Sequence, residues 1–280
     1  MLAPETLDGK RILITGGGSG LGLAMAQRFL QLGARVAIAG RSEDRLRAAL
    51  AELDAPSSHR FAHAADVRDA TAVEMLVRAV TDEFGGLDIL VNNAAGNFLA
   101  ATEDLSTNAF DAVVRTVLHG TFHASAAAGR HMIAHGGGTI LNIATTYAWT
   151  GSAFVVPSAA AKAGVLAMTR SLAVEWAAYG VRCVAIAPGP FPTEGAFSRL
   201  LPTPDMQDMM RERIPLKRFG EPAELAELAA FLVSDAAAFI TGECVTIDGG
   251  EWLASGGEFN ALTHMPRTQL KDMLRGLRGK

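Results

Sequence analysis

The amino-acid sequence predicts one α/β domain, a doubly wound seven-stranded parallel sheet with helices on both faces. Seven short runs rich in β-branched residues alternate with Ala- and Leu-rich amphipathic stretches along the 280 residues, a rhythm typical of parallel strands joined by crossover helices. These runs are apolar without strict alternation, which favours strands that are buried on both faces. No Pro-, Gly- or Ser-rich linker interrupts the rhythm, so we expect one domain spanning residues 1–280.

The predicted elements follow one another in chain order. The strand candidates are RILITG (11–16), ARVAIAG (34–40), RFAHAAD (60–66), LDILVNNA (87–94), GGTILNIAT (137–145), VRCVAIAPG (181–189) and ECVTIDGG (243–250). Helix candidates include GLAMAQRFLQLG (22–33), EDRLRAALAEL (43–53) and AAKAGVLAMTRSLAVEWAAYG (160–180). Two segments depart from the rhythm: a substrate-loop insertion with helical character at about 190–218, and a tail with one basic helix at about 251–280.

The composition excludes some classes of function. Apolar residues make up 49% of the chain and the net charge is −4, so a sizeable core is possible but a global attraction to nucleic acid or an anionic membrane is not. No apolar run has the length of a membrane span, and the start MLAPETLDGK lacks a signal-peptide pattern, so we expect a cytoplasmic protein. Cys183 and Cys244 lie in strand-like runs, where we expect buried reduced thiols and no metal site.

The first strand candidate runs into a glycine-rich turn that opens a helix candidate. The turn TGGGSGLG contains the pattern TGxxxGxG, in which glycines allow a tight turn and a close approach of the backbone to a pyrophosphate. The amides and the dipole of the following helix would then face the negative charge. We therefore predict a Rossmann-type dinucleotide site that includes Thr15, Gly16, Gly18, Ser19, Gly20, Leu21 and Gly22.

The ends of the next strand candidates indicate which dinucleotide is bound. Arg41 follows the second strand, where an acidic residue would bind the ribose 2′-hydroxyl of NAD. Its guanidinium suits a 2′-phosphate and favours NADP(H); the alternative is a solvated surface arginine. Asp66 and Val67 end the third strand and are expected beside the adenine. Asn93 and Ala94, in the run NNAAG, are expected to lie beside the cofactor.

In these motifs the chain resembles the short-chain dehydrogenase/reductase family. The resemblance covers about residues 7–252 and rests on TGGGSGLG, NNAAG, the helix that carries Lys162, APGP and IDGG, which occur in that family's order. It implies that Lys162 binds the nicotinamide ribose and that Pro188 and Gly189 contact the cofactor. It also implies a homotetramer.

The family's usual Asn–Ser–Tyr–Lys tetrad is altered here at every position except the lysine. Ser158 stands in the tyrosine position, Thr145 in the serine position and His119 in the helix asparagine position. Because a serine hydroxyl is a far weaker acid than a phenol, ketone reduction by the usual route is not expected. We interpret His119 as a structural helix residue.

The altered positions resemble one subfamily, the NADPH-dependent 2,4-dienoyl-CoA reductases. The stretches AAGNF, YAWTGSAFVVPSAAAKAGV, PGPFPTEGAFSRL and GGEFNAL carry this resemblance. It implies that Tyr147 and Asn97 bind the thioester oxygen of an acyl-CoA, and that Ser158 and Lys162 complete the catalytic set. The expected substrate contacts are Phe98, Thr145, Phe197 and Arg199. For Thr145 the alternative is a strand threonine whose hydroxyl is satisfied locally.

The expected reaction explains why Tyr147 stands fifteen residues before Lys162. Hydride addition at C5 of a 2,4-dienoyl thioester develops negative charge on the thioester oxygen, several bonds away, where Tyr147 and Asn97 would bind it. Protonation at C2 then gives a 3-enoyl-CoA, a step of unsaturated fatty acid β-oxidation. Two alternatives stay open: a carbonyl or 2-enoyl-thioester reductase, and a non-catalytic NADPH-binding scaffold.

Overall fold

The centre of the protein is a sheet of seven parallel strands, as the sequence predicts. The computed structural model describes residues 2–193, 200 and 203–278. The strands are β1 (Arg11–Thr15), β2 (Arg35–Gly40), β3 (Arg60–Ala64), β4 (Ile89–Asn92), β5 (Gly138–Ile143), β6 (Val181–Pro188) and β7 (Cys244–Ile247). Their order in the sheet is β3-β2-β1-β4-β5-β6-β7. Each of the seven predicted strand candidates contains one of these strands, so the predicted fold class is confirmed.

Helices connect the strands. Numbered along the described residues, they are α1 (Gly20–Gln31), α2 (Glu43–Glu52), α3 (Ala70–Phe84), α4 (Thr107–Val114), α5 (Gly120–Ala134), α6 (Tyr147–Thr150), α7 (Val156–Glu175), α8 (Pro204–Arg213), α9 (Pro222–Val233), α10 (Glu251–Gly256) and α11 (Arg267–Arg278). A π-helical turn, Arg115–His119, joins α4 to α5. None of the described helices is long and apolar enough to cross a membrane.

The helix that carries Ser158 and Lys162 differs from its predicted span. It begins at Val156, four residues earlier than the candidate at 160–180, and it ends at Glu175, before a 3₁₀ turn at Ala177–Tyr179. Pro157 lies in its first turn, where the fixed φ of proline suits a helix and the missing N–H costs nothing. Ser158 therefore lies in the first turn and Lys162 one turn further on.

Alternate side chains of the central strands enter two cores, one on each face of the sheet. Ile12 and Ile14 of β1 pack with Met25 and Phe29 of α1 in one cluster. Leu13, between them, packs in a second cluster that contains residues of α3 and α5. This period-2 alternation is what a strand buried on both faces requires.

The topology determines where a ligand can bind. The strand order reverses between β1 and β4, and in such sheets ligands bind in the crevice at the carboxyl ends of the strands on either side of that switch point. Buried amides tie β4 to α5 and to the next strand, β5: Asn92 Nδ2 donates to Ser125 Oγ and to Asn142 Oδ1, each at 2.9 Å. Asn142 Nδ2 in turn donates to Thr169 Oγ1 of α7 at 2.9 Å.

Candidate active site

The glycine-rich turn after β1 is locked to the end of β4. Thr15 Oγ1 accepts hydrogen bonds from the backbone N–H groups of Asn93 and Ala94, both at 3.1 Å. The Asn93 side chain bonds the same turn: its Nδ2 donates to the carbonyls of Thr15 and Gly16 at 3.2 and 3.0 Å. Two of the motifs predicted to bind the cofactor thus form one rigid corner of the crevice.

The glycines of this turn are required by close contacts. A Cβ on Gly22 would lie 2.4 Å from the Gly16 carbonyl oxygen, and Gly16 itself has φ +66°. Gly18 and Leu21 are half-buried, whereas Ser19 and Gly20 are exposed where α1 begins. The free amides of the first turn of α1 therefore face the crevice, an arrangement that suits a pyrophosphate. Thr193, which no sequence motif marks, packs against Gly20.

The end of β2 presents basic side chains. Arg41 is exposed and makes no hydrogen bond or ion pair with another described residue. Arg45, in the first turn of α2, lies against Gly18. A second arginine, which the sequence motifs did not indicate, therefore flanks the glycine-rich turn. Asp66 is paired with Arg68 at 2.6 Å, which lowers the pKa of the Asp66 carboxyl. That charge pair lies at the end of β3, where Val67 is also found.

Three polar side chains meet at the centre of the candidate site. Tyr147 Oη lies 3.2 Å from Asn97 Nδ2 and 3.1 Å from Ser158 Oγ. Asn97 Oδ1 accepts from the backbone N–H of Phe98 at 2.9 Å, so the amide nitrogen is the atom that faces Tyr147. Ser158 is 2% exposed, whereas Tyr147 is only half-buried. The structure therefore brings together three of the four predicted catalytic residues.

Lys162, the fourth, lies one helical turn after Ser158 and is 7% exposed. Its Nζ donates a hydrogen bond to the carbonyl oxygen of Ile143, at the end of β5. Burial lowers the pKa of Lys162 from 10.5 to about 8, because the charged form loses its hydration. A buried ammonium group at the crevice is suited to hold hydroxyl groups of a ligand and to attract negative charge.

Thr145, Phe98 and His119, which the sequence also singled out, differ in burial. Thr145 is buried at the end of β5. Phe98 packs with a buried cluster that contains Val117 and Val165. His119 is exposed at the end of the π-helical turn, with its ring centroid 6.3 Å from that of His123. Val117 is thus the residue of that turn buried toward α7, a placement that spacing in the sequence did not reveal.

The turn after β6 also reaches the site. The backbone N–H of Gly189 donates to the Ile247 carbonyl at 2.9 Å, and a Cβ on Gly189 would lie 2.6 Å from the Cβ of Asp248. This close approach explains the glycine after Pro188. The predicted substrate residues Phe197 and Arg199 lie outside the described residues.

The fold, the glycine-rich turn and the crevice together define an α/β dinucleotide-binding protein. Its crevice holds a buried lysine and three polar side chains that contact one another. A family model described as enoyl-(acyl carrier protein) reductase matches residues 16–251. A Bacillus subtilis protein named probable 2,4-dienoyl-CoA reductase, (2E)-enoyl-CoA-producing, is 45% identical over 249 residues, which are 88% of this chain and 98% of that protein. Probable 2,4-dienoyl-CoA reductase 3, (3E)-enoyl-CoA-producing, of Caenorhabditis elegans is 41% identical over 270 residues, 95% of this chain and 86% of that protein.

A solved structure gives the same result. The crystal structure of a short chain dehydrogenase from Bacillus anthracis superposes with a TM-score of 0.80 at 44% identity, over 87% of this chain and 96% of that chain. This chain therefore belongs to the short-chain dehydrogenase/reductase family, whose members are oxidoreductases that use a nicotinamide cofactor. The resemblance on which the sequence analysis rested is confirmed.

Proposed function

We propose that this protein reduces 2,4-dienoyl-CoA thioesters with NADPH and produces 3-enoyl-CoA. The observation that carries the proposal is the meeting of Tyr147 Oη with Asn97 Nδ2 and Ser158 Oγ, at 3.2 and 3.1 Å. The phenol of Tyr147 comes from the segment after β5. It lies beside Ser158, the residue that occupies the family's usual tyrosine position. The names of the relatives from Bacillus subtilis and Caenorhabditis elegans support the same substrate class.

The hydrogen-bond directions suit an oxyanion site. Asn97 Nδ2 donates to Tyr147 Oη and has a second N–H, which remains for a substrate oxygen. Because Tyr147 Oη accepts from Asn97, its own hydrogen is available to donate either to Ser158 or to that oxygen. Two donors from a partly desolvated site would thus meet the negative charge that develops on the thioester oxygen.

The residues of the crevice fit a dinucleotide. The glycine turn, whose Gly22 has no room for a Cβ, would approach the pyrophosphate, and Arg41 with Arg45 would receive the 2′-phosphate of NADPH. Lys162 would bind the nicotinamide ribose and add positive potential. When bound, the reduced nicotinamide supplies the hydride that is added at C5 of the dienoyl group.

The chain's own groups determine where the proton goes. Ser158 is a poor acid and is buried beside the phenol, so the residue in the family's tyrosine position is not suited to protonate a ketone oxygen itself. The dienolate held by Tyr147 and Asn97 takes its proton at C2, and water is the proposed source. The double bond of the product then lies between C3 and C4.

A second candidate is a 2-enoyl-thioester reductase, which the description of the matching family model favours. It would use the same oxyanion pair, since a 2-enoyl thioester also develops charge on its carbonyl oxygen. The difference lies in the carbon that is reduced, C3 instead of C5. A non-catalytic NADPH-binding scaffold is the third reading, and the retention of Tyr147, Asn97 and Lys162 in one site disfavours it.

Purified protein assayed with four substrate and cofactor pairs separates these readings. A 2,4-dienoyl-CoA, a saturated-tail 2-enoyl-CoA and a ketone are each supplied with NADPH, and the dienoyl-CoA is also supplied with NADH. We expect rapid NADPH oxidation with the dienoyl-CoA alone, and its near loss in Tyr147→Phe and Lys162→Ala. Equal turnover of the 2-enoyl-CoA supports the second candidate. NADPH binding without any turnover supports the scaffold.

The assembly and cellular setting are part of the same proposal. Phe122 of α5 and Val174 of α7 are exposed apolar side chains, 58% and 82% accessible, and we propose that they contact other subunits of a homotetramer. We place the enzyme in the cytoplasm, in the oxidation of unsaturated fatty acids. Light scattering of the purified protein measures the assembly, and a monomeric mass would contradict it.

A further inference from the structure

Two indole rings lie stacked beside the candidate active site and take no part in the chemistry described so far. Trp149 is two residues after Tyr147 in the single turn α6, and Trp252 lies in the first turn of α10. Their ring centroids are 4.9 Å apart and the planes are inclined by 29°. The stack joins the loop after β5, which carries the phenol, to the segment after β7.

The turn that carries Tyr147 needs outside support. A helix of four residues has too few internal hydrogen bonds to be stable alone, and α6 is followed by Gly151 with φ +71°. Ala148 and Trp149 pack against a buried cluster formed by Ala144, Leu166 and three small residues of β6 and β7. The position of the Tyr147 backbone thus depends on how firmly Trp149 is held.

Trp252 is held firmly from the other side. Its backbone N–H donates to Asp248 Oδ2 at 2.7 Å, while Gly250 N–H donates to Asp248 Oδ1 at 2.8 Å. Asp248 is packed against Gly189, where even a Cβ would be 2.6 Å from the Asp248 Cβ. Trp252 is therefore fixed with respect to the turn after β6, on the cofactor side of the crevice.

We propose that Trp252 is a positioning residue for Tyr147. By stacking on Trp149, the Trp252 ring fixes the position of α6. In that position the Tyr147 phenol contacts Asn97 and Ser158. The kinetic consequence rests on the proposed function, whereas the structural consequence does not involve a substrate. A residue beyond the last strand, outside the catalytic motifs, then sets the geometry of the oxyanion site.

The test compares the wild type with Trp252→Ala, with Trp252→Phe, which keeps an aromatic ring, and with Trp176→Phe as the matched control. Trp176 packs against Gly129 instead. Each protein is labelled with fluorotyrosine, because the chain has only two tyrosines, Tyr147 and Tyr179, and their fluorine resonances are assigned by substitution. Melting temperature and NADPH affinity are measured alongside.

We expect Trp252→Ala to move the Tyr147 resonance and leave that of Tyr179 in place. The turnover number with a 2,4-dienoyl-CoA should fall about tenfold or more, since a displacement near 1 Å can cost on the order of 100-fold, while the KM for NADPH stays unchanged. Trp252→Phe should recover most of the activity, and Trp176→Phe should behave as the wild type.

An unchanged Tyr147 resonance and turnover number in Trp252→Ala overturn the proposal, even if the melting temperature falls, because a merely structural role predicts that pattern. A moved resonance in a protein whose wild type does not reduce dienoyl-CoA supports the positioning role and contradicts the proposed function. If Trp252→Ala does not fold, Trp149→Leu is judged by the same two readouts: changes in both support the stack, and no change overturns it.

Discussion

Asn97 Nδ2 lies 3.2 Å from Tyr147 Oη, although the two residues are 50 positions apart in the chain. They come from the loops after β4 and β5, which are neighbours in the sheet. The backbone N–H of Phe98 fixes the orientation of the Asn97 amide, so the amide nitrogen and the phenol are held together as the proposed pair of donors. Such preorganised donors are the main means by which enzymes stabilise developing negative charge.

Replacing Asn97 by alanine should lower the turnover number for a 2,4-dienoyl-CoA by about 100- to 1,000-fold, the usual effect of losing one oxyanion donor. The KM for NADPH should not change, because Asn97 does not face the glycine turn. Steady-state kinetics of Asn97→Ala beside Asn108→Ala, an exposed asparagine of α4, measures this. Equal loss in both variants, or no loss in Asn97→Ala, would contradict the assigned role.

Ser158→Ala should have a smaller effect. Ser158 Oγ hydrogen-bonds Tyr147 Oη at 3.1 Å, and its removal leaves Asn97 to orient the phenol alone. We expect the turnover number to fall roughly three- to tenfold, the value of one hydrogen bond between neutral groups. A double-mutant cycle with Tyr147→Phe checks the coupling, since Ser158→Ala should have little further effect once the phenolic hydroxyl is gone. Additive effects would show that Ser158 acts elsewhere.

The affinity for NADPH should depend on pH through Lys162, whose pKa burial lowers from 10.5 to about 8. In the proposed site the charged lysine binds the cofactor, so we expect the affinity to be highest below about pH 8 and to fall above it, by about tenfold per pH unit if only the charged form binds. Fluorescence titrations of NADPH across this range measure the break. Lys162→Arg, which stays charged, should show no break near pH 8; a break of the same size in that variant would assign it to another group.

The same pKa shift predicts how stability depends on pH. The folded pKa of Lys162 lies below the unfolded value of 10.5, so the unfolded state binds more protons between about pH 8 and pH 10.5 and this group's contribution to the free energy of unfolding rises with pH there. Below about pH 8 the cost of burying the charge is fully present. Urea unfolding of wild type and Lys162→Met at several pH values isolates the contribution, and parallel pH profiles would contradict it.

Arg41→Ala should reduce the preference for NADPH over NADH. The exposed guanidinium makes no hydrogen bond or ion pair with another described residue, although its charge acts on the Asp66 carboxyl. A charged hydrogen bond to a 2′-phosphate contributes about 1.5–3 kcal/mol, or roughly 10- to 100-fold in the ratio of kcat/KM values. Arg47→Ala is the matched control, because Arg47 lies in the following helix α2 and pairs with Glu43 and Asp44. An unchanged ratio in Arg41→Ala would transfer the role to Arg45.

The sequence predicts the seven strands and the glycine turn, and it supplies candidate catalytic residues, because each has a local signal. Strand periodicity and the order of motifs are properties of neighbouring residues, and the resemblance to the dienoyl-CoA reductases supplies Tyr147 and Asn97. Contacts made by distant parts of the chain carry no such signal. The stack of Trp149 on Trp252 and the placement of Arg45 against Gly18 depend on how the loops fold over the crevice.

The π-helical turn shows the same limit. Spacing along the sequence favours His119 as the residue of the family's asparagine position, whereas the wider turn at Arg115–His119 leaves that side chain exposed and buries Val117. The wider π-helical turn determines which of its side chains are buried, and the spacing of residues along the sequence does not predict such a turn.

The central claim is that Tyr147 and Asn97 hold the oxygen of an extended dienolate. The most direct measurement is the position of the label in the product made from deuterated NADPH and a 2,4-dienoyl-CoA, read by NMR. We predict deuterium at C5, a solvent proton at C2 and the double bond between C3 and C4. Deuterium at C3, or on a carbon that bears a new hydroxyl group, would contradict it.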